Sequence, residues 1–321
     1  MEIEQDSLDQ AIYALYIELL EHGREHTGSR GKNRELLGVA LRIRNPRARI
    51  SISEDRGRPF SAIGELLWYL SGSDELAFIE PYIGAYQDDA VEGILEGAYG
   101  PRFFSMRDEI DQFQNIESLL TKSPGSRRAV IQLFNAEDIA RRHKEIPCTT
   151  TLQFHLRDGQ LHMSVTMRSN DAYYGLPHDV FCFTMLQEMM ARRLQVELGE
   201  YYQYVGSMHL YEEMLKRAEA YIEEGVQQVR EMPEMPKSDP FSLVDRLLEA
   251  EAIIRGGERV DASGYFEEPY WADFVRLIQA FWARFHADDH GAELDHLCDQ
   301  MIYPDYRVYI DGRRHLSSRA P

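Results

Sequence analysis

Cysteine is scarce in this sequence, with three residues in a chain of 321. They are Cys148, Cys182 and Cys298, which lie far apart and are odd in number. A disulfide framework would need an even and denser set, so this pattern favours a reducing compartment. We therefore expect a cytoplasmic protein that is not held together by disulfides.

Basic residues are outnumbered, because 35 lysines and arginines stand against 54 acidic residues and the net charge is −19. Non-specific binding of DNA needs a basic face that displaces counterions from the phosphates. No nucleic acid partner is therefore expected. A small anionic ligand held by a local cluster of arginines is still compatible with this charge.

Long apolar runs are also missing. A membrane-spanning helix needs about 18–20 mainly apolar residues, and no run in the sequence approaches that length. Residues 1–6 are acidic and lack the apolar segment of a signal peptide. We expect neither a membrane partner nor a secretory leader.

Helix and strand patterns are both present. The apolar fraction is 44%, and the length allows one or two domains with a large core. Residues 7–24 and 60–70 have helical periodicity. Two alternating segments, residues 150–156 and 161–167, flank Asp158-Gly159, which is a strong signal for a β-hairpin. Helical patterns return at residues 241–254, 271–286 and 292–301.

Residues 146–179 collect groups that can do chemistry. Cys148 stands before the first hairpin strand, and Arg168 and Ser169 follow the second. A cysteine attacks as a thiolate, which a nearby arginine stabilises, and an arginine beside a serine can bind an anion. Asp179 opens a helical pattern, where it either caps the helix or contacts a polar ligand. A lone cysteine can also be a small buried hydrophobe.

Six short motifs follow one another along the chain. They are Gly64-Glu65-Leu66-Leu67-Trp68-Tyr69-Leu70-Ser71-Gly72, Ser126-Arg127-Arg128, Pro147-Cys148, Arg168-Ser169-x-Asp171, Gly175-Leu176-Pro177-x-Asp179 and Gly206-Ser207-Met208-His209-Leu210-Tyr211. Together they resemble the thymidylate synthase family over about two thirds of the chain. The resemblance implies an α/β (α+β) thymidylate synthase-like fold, with a mixed sheet at a dimer interface and surrounding helices. The catalytic domain would span residues 1–231, and residues 232–321 would form a helical C-terminal extension packed on it.

The resemblance implies a role for each site residue. Cys148 would be the nucleophile, Glu65 would organise water and proton transfers, and Asp179 would contact the base. The nucleotide would be bound by Arg30, Arg127, Arg128, Arg168, Ser169, Asp179, His209 and Tyr211. In the family, the arginine pair reaches the phosphate of the partner subunit, which implies a homodimer. The folate 5,10-methylenetetrahydrofolate would donate the one-carbon unit beside Asp171, Tyr99 and Glu65, and no metal ion is implied.

Asp179 decides which base we expect. The family's synthases carry asparagine here, whose amide satisfies both N3–H and O4 of uracil. Cytosine presents an N4 amino donor instead of O4, and an ionised aspartate only accepts. We therefore expect CMP or dCMP as the substrate. The chain most resembles the family's cytidylate 5-hydroxymethylase branch, which shares this aspartate, and the resemblance implies that the product carries a hydroxymethyl group. The Cys148 adduct at C6 would make C5 nucleophilic, and water would add to the exocyclic methylene that forms.

Two other features depart from the family pattern, and the second of them concerns the reductive step. His178 stands where the family has an aromatic residue, and the stretch with Tyr82 and Tyr86 lacks the tryptophans of the synthases. One alternative is a thymidylate synthase that methylates dUMP, with Asp179 protonated or reoriented. A second alternative is a non-catalytic nucleotide-binding paralogue.

Overall fold

A computed structural model of the chain describes residues 1–28, 30–53 and 59–316. Within these residues, seven strands form one sheet in the order β1-β3-β7-β6-β5-β4, and β2 pairs with β3. The strands are β1 (Glu2–Gln5), β2 (Arg24–Gly28), β3 (Gly31–Ile43), β4 (Val130–Gln132), β5 (Thr149–Arg157), β6 (Gln160–Asp171) and β7 (Glu197–Tyr211).

The sheet is mixed. β1 with β3 and β6 with β7 pair in parallel, and the other pairs are antiparallel. β5 and β6 form the predicted hairpin, in which Asp158 and Gly159 have φ angles of 49° and 77°. A two-residue turn of this type requires positive φ at both positions, which Asp-Gly supplies. The hairpin prediction is confirmed.

Helices surround this sheet. The longer ones are α1 (Leu8–His22), α2 (Phe60–Ser71), α5 (Gln112–Lys122), α7 (Gly175–Arg193), α8 (Leu215–Glu223), α9 (Val244–Arg255), α11 (Pro269–His286) and α12 (His290–Gln300). Short helices are α3 (Leu76–Ile79), α4 (Tyr99–Phe104), α6 (Glu137–Ala140), α10 (Ala262–Tyr265) and α13 (Arg307–Asp311), with 3₁₀ turns at Gly84–Asp88, Glu212–Met214, Pro240–Leu243 and Pro304–Tyr306. In the part of the chain that the structure describes, no helix combines the length and the apolar character needed to cross a membrane.

The start of α7 corrects one prediction. The helix begins at Gly175 and not at Asp179, so Asp179 lies within the helix and does not cap it. A Cβ on Gly175 would lie 2.5 Å from Asn170 Oδ1. Glycine therefore lets the helix begin this close to the end of β6, and the Gly-Leu-Pro sequence is already helical.

The C-terminal helices pack against the segment between α3 and α4. The Tyr82 hydroxyl donates to Glu251 Oε1 at 2.7 Å and accepts from Trp282 Nε1 at 2.9 Å. Its ring stacks on Phe281 with centroids 4.5 Å apart and lies so close to Gly64 that a Cβ there would overlap it. The predicted helices of the extension are present, and the boundary at residue 231 stays a prediction.

A buried carboxylate on α7 forms an ion pair with Arg49 and also contacts the extension. Arg49 Nη2 donates to Glu188 Oε2, and both side chains are fully buried. Glu188 Oε1 accepts the backbone N–H of Met235 at 3.0 Å. Removing one partner of such a pair leaves an uncompensated charge in a dry interior.

We expect Glu188→Gln to lower the free energy of unfolding by about 3 kcal/mol, because Arg49 then keeps a buried charge without its counterion. Urea unfolding measures the change. Glu117→Gln is the control, since Glu117 pairs with Arg193 at 2.8 Å where both side chains are partly exposed, and such a pair contributes about 0–1 kcal/mol. Equal losses in the two variants would contradict the expectation.

Candidate active site

Arg168 is tied to the segment that carries Cys148. Its Nε donates to the carbonyl oxygen of Pro147 at 2.9 Å, and its Nη2 donates to that of Ile146 at 3.0 Å. The same Nη2 lies 3.5 Å from Cys148 Sγ. The backbone N–H of Arg168 donates to the Cys148 carbonyl at 2.9 Å, because β5 and β6 pair antiparallel. The thiol and the guanidinium that the sequence singled out are therefore neighbours.

Opposing effects act on the Cys148 thiol. Burial raises its pKa, the Arg168 guanidinium lowers it, and the charges of Asp179 and Glu145 raise it. The net shift of the pKa is upward, so the thiol is mostly protonated at neutral pH. Formation of the thiolate therefore depends on Arg168 staying in contact.

We expect Arg168→Gln to raise the pKa of the Cys148 thiol further, because the variant removes the positive charge nearest to the sulfur. The measurement is the rate of alkylation by iodoacetamide as a function of pH, in a protein that also carries Cys182→Ala and Cys298→Ala. The pH at which this rate reaches half of its maximum should rise. Arg246→Gln is the control, since Arg246 lies over the rings of Tyr265 and Phe266 in the extension. An unshifted profile in Arg168→Gln would contradict the expectation.

Glu145 was not predicted as a site residue. Burial, followed by the charge of Asp89, raises its pKa to about 7, although a hydrogen bond from the Gly97 backbone opposes the shift. A Cβ on Gly97 would lie 3.0 Å from the Glu145 carboxyl carbon, so the glycine makes room for the carboxyl. Because this carboxyl titrates near neutral pH, its unfavourable effect on the thiolate grows as the pH rises.

Tyr99 is hydrogen-bonded to Thr149, the residue after Cys148. Its hydroxyl donates to Thr149 Oγ1 and accepts the Thr149 backbone N–H, both at 3.0 Å. Burial raises the pKa of Tyr99 well above its usual value, and the charges of Cys148 and Asp179 add to the shift. The predicted wall of the folate site is thus a neutral tyrosine that fixes the start of β5.

Glu65 accepts three side-chain hydrogen bonds in a buried position on α2. Tyr86 and Tyr69 donate to Oε1 at 2.6 and 3.1 Å, and His178 Nδ1 lies 3.1 Å from Oε2. The other ring nitrogen of His178, Nε2, lies 2.9 Å from Ser61 Oγ. Burial alone would raise the pKa of Glu65, but the hydrogen bonds from His178, Tyr86 and Tyr69 hold it below its usual value.

Asp179 lies on α7 beside these groups. Burial raises its pKa well above the usual range, and the negative charge of Glu65 adds to the shift. A hydrogen bond with the Asn170 side chain opposes it, and Asp171 raises the pKa further. The sequence predicts an ionised aspartate here, but burial favours the neutral carboxyl at Asp179, whereas the hydrogen bonds favour the ionised carboxylate at Glu65. The two carboxyls differ because Glu65 has three donors and Asp179 has one hydrogen-bond partner that stabilises its charge.

The parallel pairing of β6 with β7 places Ser169, Asp171, His209 and Tyr211 at one end of the sheet. Asp171 is opposite His209 in the register, and Ser169 Oγ lies 3.4 Å from His209 Nδ1. The rings of His209 and Tyr211 meet edge to face, with centroids 5.1 Å apart. Burial lowers the pKa of His209, so its imidazole is neutral and offers both a donor and an acceptor.

Arg30 lies within electrostatic range of the same cluster. Its Nη2 donates to Asp89 Oδ2 at 2.5 Å, and the charges of Tyr211 and Cys148 also act on it. An anion bound by Arg30 would therefore compete with the Asp89 carboxylate. The preceding residue, Ser29, is outside the described residues.

Arg127 and Arg128 are exposed in the loop before β4, the edge strand of the sheet. The Arg128 backbone N–H is held by Ser126 Oγ at 3.1 Å. Across the described ranges, neither arginine side chain forms an ion pair. Their role in a partner subunit stays a prediction.

Sequence reasoning did not predict the contacts of Ser61, Tyr86 and His178 with the Glu65 region. Ser61 and Glu65 are one helical turn apart, so the sequence does place them on one face of α2. The imidazole comes from α7, and only the tertiary packing of the two helices brings it to this face.

Known proteins that are similar to this chain include two phage proteins and one bacterial protein. A "Deoxyuridylate hydroxymethyltransferase" of Bacillus phage SP01 is 33% identical over 199 residues, which are 57% of this chain and 51% of the relative. One of Pseudomonas phage M6 is 33% identical over 171 residues, 51% of this chain and 48% of the relative. A "Thymidylate synthase" of Buchnera aphidicola subsp. Baizongia pistaciae is 32% identical over 168 residues, 50% of this chain and 62% of the relative. The chain thus spans about half to three fifths of the length of these relatives.

The family model described as "Thymidylate synthase" matches residues 14–245, which is well over half of the chain. The mixed sheet with surrounding helices agrees with this match, so the fold prediction is confirmed. This chain belongs to the thymidylate synthase family.

Proposed function

We propose that this protein is an enzyme that transfers a one-carbon unit from 5,10-methylenetetrahydrofolate to C5 of CMP or dCMP and leaves it as a hydroxymethyl group. The residue that carries the proposal is Asp179, a buried carboxyl on α7 that lies within electrostatic range of Cys148 and Tyr99. The family's synthases have an asparagine amide at this position. The change of donors and acceptors at one side chain therefore supports a change of base.

A protonated Asp179 is complementary to cytosine. Its O–H can donate to N3, and its C=O can accept from the N4 amino group. When the Cys148 sulfur bonds to C6, the ring electrons shift toward N3, which then takes the proton of Asp179. Arg168 stabilises the thiolate before this attack. C5 thereby becomes an enamine carbon that can take up the one-carbon unit.

5,10-methylenetetrahydrofolate would supply that carbon. We propose that Asp171, Tyr99 and Glu65 hold it, since the carboxylate of Asp171 can accept from N–H groups of a pterin ring. Asp171 Oδ1 also accepts the backbone N–H of Tyr173 at 2.7 Å, which fixes the carboxylate at the end of β6. After C5 loses its proton, water would add to the exocyclic methylene of the nucleotide.

Two observations support water rather than hydride as the nucleophile that adds to the methylene. Two of the relatives carry the name deoxyuridylate hydroxymethyltransferase. The 3₁₀ turn Gly84–Asp88 also supplies a tyrosine, Tyr86, to Glu65 in a stretch where synthases have tryptophans. A polar network around Glu65 suits a bound water.

Hydroxymethylation of dUMP is the second candidate. A protonated Asp179 can also donate to O4 of uracil and accept from N3–H. The names of the two phage relatives favour it, and the raised pKa of Asp179 is compatible with either base. Methylation of dUMP, as the name of the Buchnera relative would suggest, and nucleotide binding without turnover are further outcomes that an assay separates.

The remaining ligands follow from the same proposal. Arg30, Arg168 and Ser169 would hold the phosphate, and His209 and Tyr211 the sugar hydroxyl. Arg127 and Arg128 would complete the phosphate site of a partner subunit. Val130 and Tyr204, on the strands of the sheet, are 41% and 50% exposed, which supports a homodimer formed through the sheet. Three free thiols support a cytoplasmic location.

Tritium release from 5-³H-labelled CMP, dCMP, UMP and dUMP, each with 5,10-methylenetetrahydrofolate, tests the proposal. We expect release from a cytidine nucleotide, a hydroxymethylated product by mass, and no absorbance of dihydrofolate. Hydroxymethyl-dUMP would establish the second candidate instead. A methyl product with dihydrofolate, or binding without any release, would contradict both.

A further inference from the structure

Ser61, His178 and Glu65 form a continuous hydrogen-bonded chain between two helices. Ser61 and Glu65 lie on α2, and His178 lies on α7. Ser61 Oγ is 2.9 Å from His178 Nε2, and His178 Nδ1 is 3.1 Å from Glu65 Oε2. If Nδ1 carries the proton that binds the carboxylate, Nε2 is left with a lone pair that accepts from the serine hydroxyl. This is the order of groups in which an imidazole removes a proton from an oxygen while a carboxylate orients it.

The surroundings give the carboxylate and the imidazole different roles. Glu65 already accepts hydrogen bonds from Tyr86, Tyr69 and His178, and a carboxylate with three donors is a weak base. An imidazole is the stronger base near neutral pH. The His178 side chain is also more accessible, at 23% exposed against 7% for Glu65. The imidazole is therefore the better acceptor for a proton, and Glu65 is suited to stabilise the imidazolium.

The position of His178 connects this chain of groups to the nucleotide. Asp179, the next residue on α7, is the proposed contact of the base. The charge of Glu65 acts directly on Asp179, so the chain of groups lies within electrostatic range of the base contact.

We propose that His178 accepts, through Ser61, the proton of the water that adds to the C5 methylene of the nucleotide. The inference rests on the proposed function, but it holds for a cytidine or a uridine nucleotide. The water oxygen bonds to the methylene carbon and gives its proton to Ser61 Oγ, which passes its own proton to His178 Nε2. The methylene electron pair moves into the ring and forms the C5=C6 bond, and the C6–S bond breaks to release the Cys148 thiolate. No oxidant or reductant is needed.

Two substitutions at His178 separate proton transfer from positioning. His178→Asn keeps an amide N–H in place of Nδ1–H for Glu65 but removes the base. His178→Phe removes both functions. Ser61→Ala interrupts the path to Nε2 and leaves the imidazole and Glu65 in contact. Thermal unfolding of each variant shows whether the fold is retained.

The test is a single-turnover reaction with enzyme in excess over the 5-³H nucleotide that the wild type uses. We expect His178→Asn to release tritium within about threefold of the wild-type rate. Formation of the hydroxymethyl product should fall by about 10²-fold or more, the usual contribution of a general base. The exocyclic methylene intermediate should then accumulate, and an added thiol should react with it to form a thioether. Ser61→Ala should show the same separation of the two rates.

Hydroxymethyl product at the wild-type rate in His178→Asn would overturn the inference. Equal losses of tritium release and product would also overturn it, because His178 would then act before the methylene forms or only support the fold. Failure of the proposed function has a different signature, since the wild type itself would release no tritium or would form a methyl product.

Discussion

Asp179→Asn is expected to change the preferred base from cytosine to uracil. An asparagine amide held with its N–H toward position 4 and its C=O toward N3 matches O4 and N3–H of uracil. Against cytosine the same orientation sets the N–H against the N4 amino group and the C=O against the N3 lone pair. Each mismatched buried polar pair costs about 1–3 kcal/mol. The ratio of kcat/KM for uridylate over cytidylate should therefore rise by about 10²-fold. Tritium release from the four labelled nucleotides measures the ratio.

Asp111→Asn is the matched control for this change from carboxylate to amide. Asp111 caps α5 by accepting the backbone N–H of Gln114 at 2.8 Å, and asparagine caps a helix equally well. The base preference of Asp111→Asn should equal that of the wild type. If Asp179→Asn also kept the wild-type ratio, Asp179 would not read the base.

Cys148→Ala should lose turnover by at least about 10⁴-fold, as expected when a covalent nucleophile is removed. Without the sulfur at C6, C5 of the pyrimidine does not become nucleophilic, so neither tritium release nor product should appear. Denatured wild-type enzyme, quenched during turnover, should carry nucleotide on the peptide with Cys148, and the variant should carry none. Nucleotide binding by the folded variant should persist, because Arg168 and Ser169 are still present.

Cys298→Ala is the control for loss of a thiol. Cys298 is buried in α12, within the C-terminal extension, and its removal should leave turnover at the wild-type level. Substantial one-carbon transfer by Cys148→Ala would show that the reaction does not pass through the thioether.

The sequence predicted the part of the site that depends on local pairing. A hairpin with an Asp-Gly turn fixes the register of β5 and β6, so Cys148 and Arg168 had to meet once both strands were assigned. His209 and Tyr211 alternate along one strand, and their common face also follows from local geometry. The C-terminal helices were recognisable from their apolar period.

The remaining features depend on packing between distant elements. Nothing in the α7 sequence shows that His178 meets Ser61 and Glu65, which come from another helix. The opposite pKa shifts of Glu65 and Asp179 also come from tertiary contacts, since the number of hydrogen-bond donors reaching each carboxyl decides its charge. The helix start at Gly175 was missed because a Gly-Leu-Pro sequence usually indicates a turn.

The central claim is that water adds to a one-carbon unit on a cytidine nucleotide. The most direct test is the mass of the product that the wild type forms from CMP or dCMP with 5,10-methylenetetrahydrofolate in H₂¹⁸O. We expect hydroxymethyl-cytidylate that carries one ¹⁸O atom, with tetrahydrofolate as the second product. A methylated nucleotide without ¹⁸O, accompanied by dihydrofolate, would contradict the account.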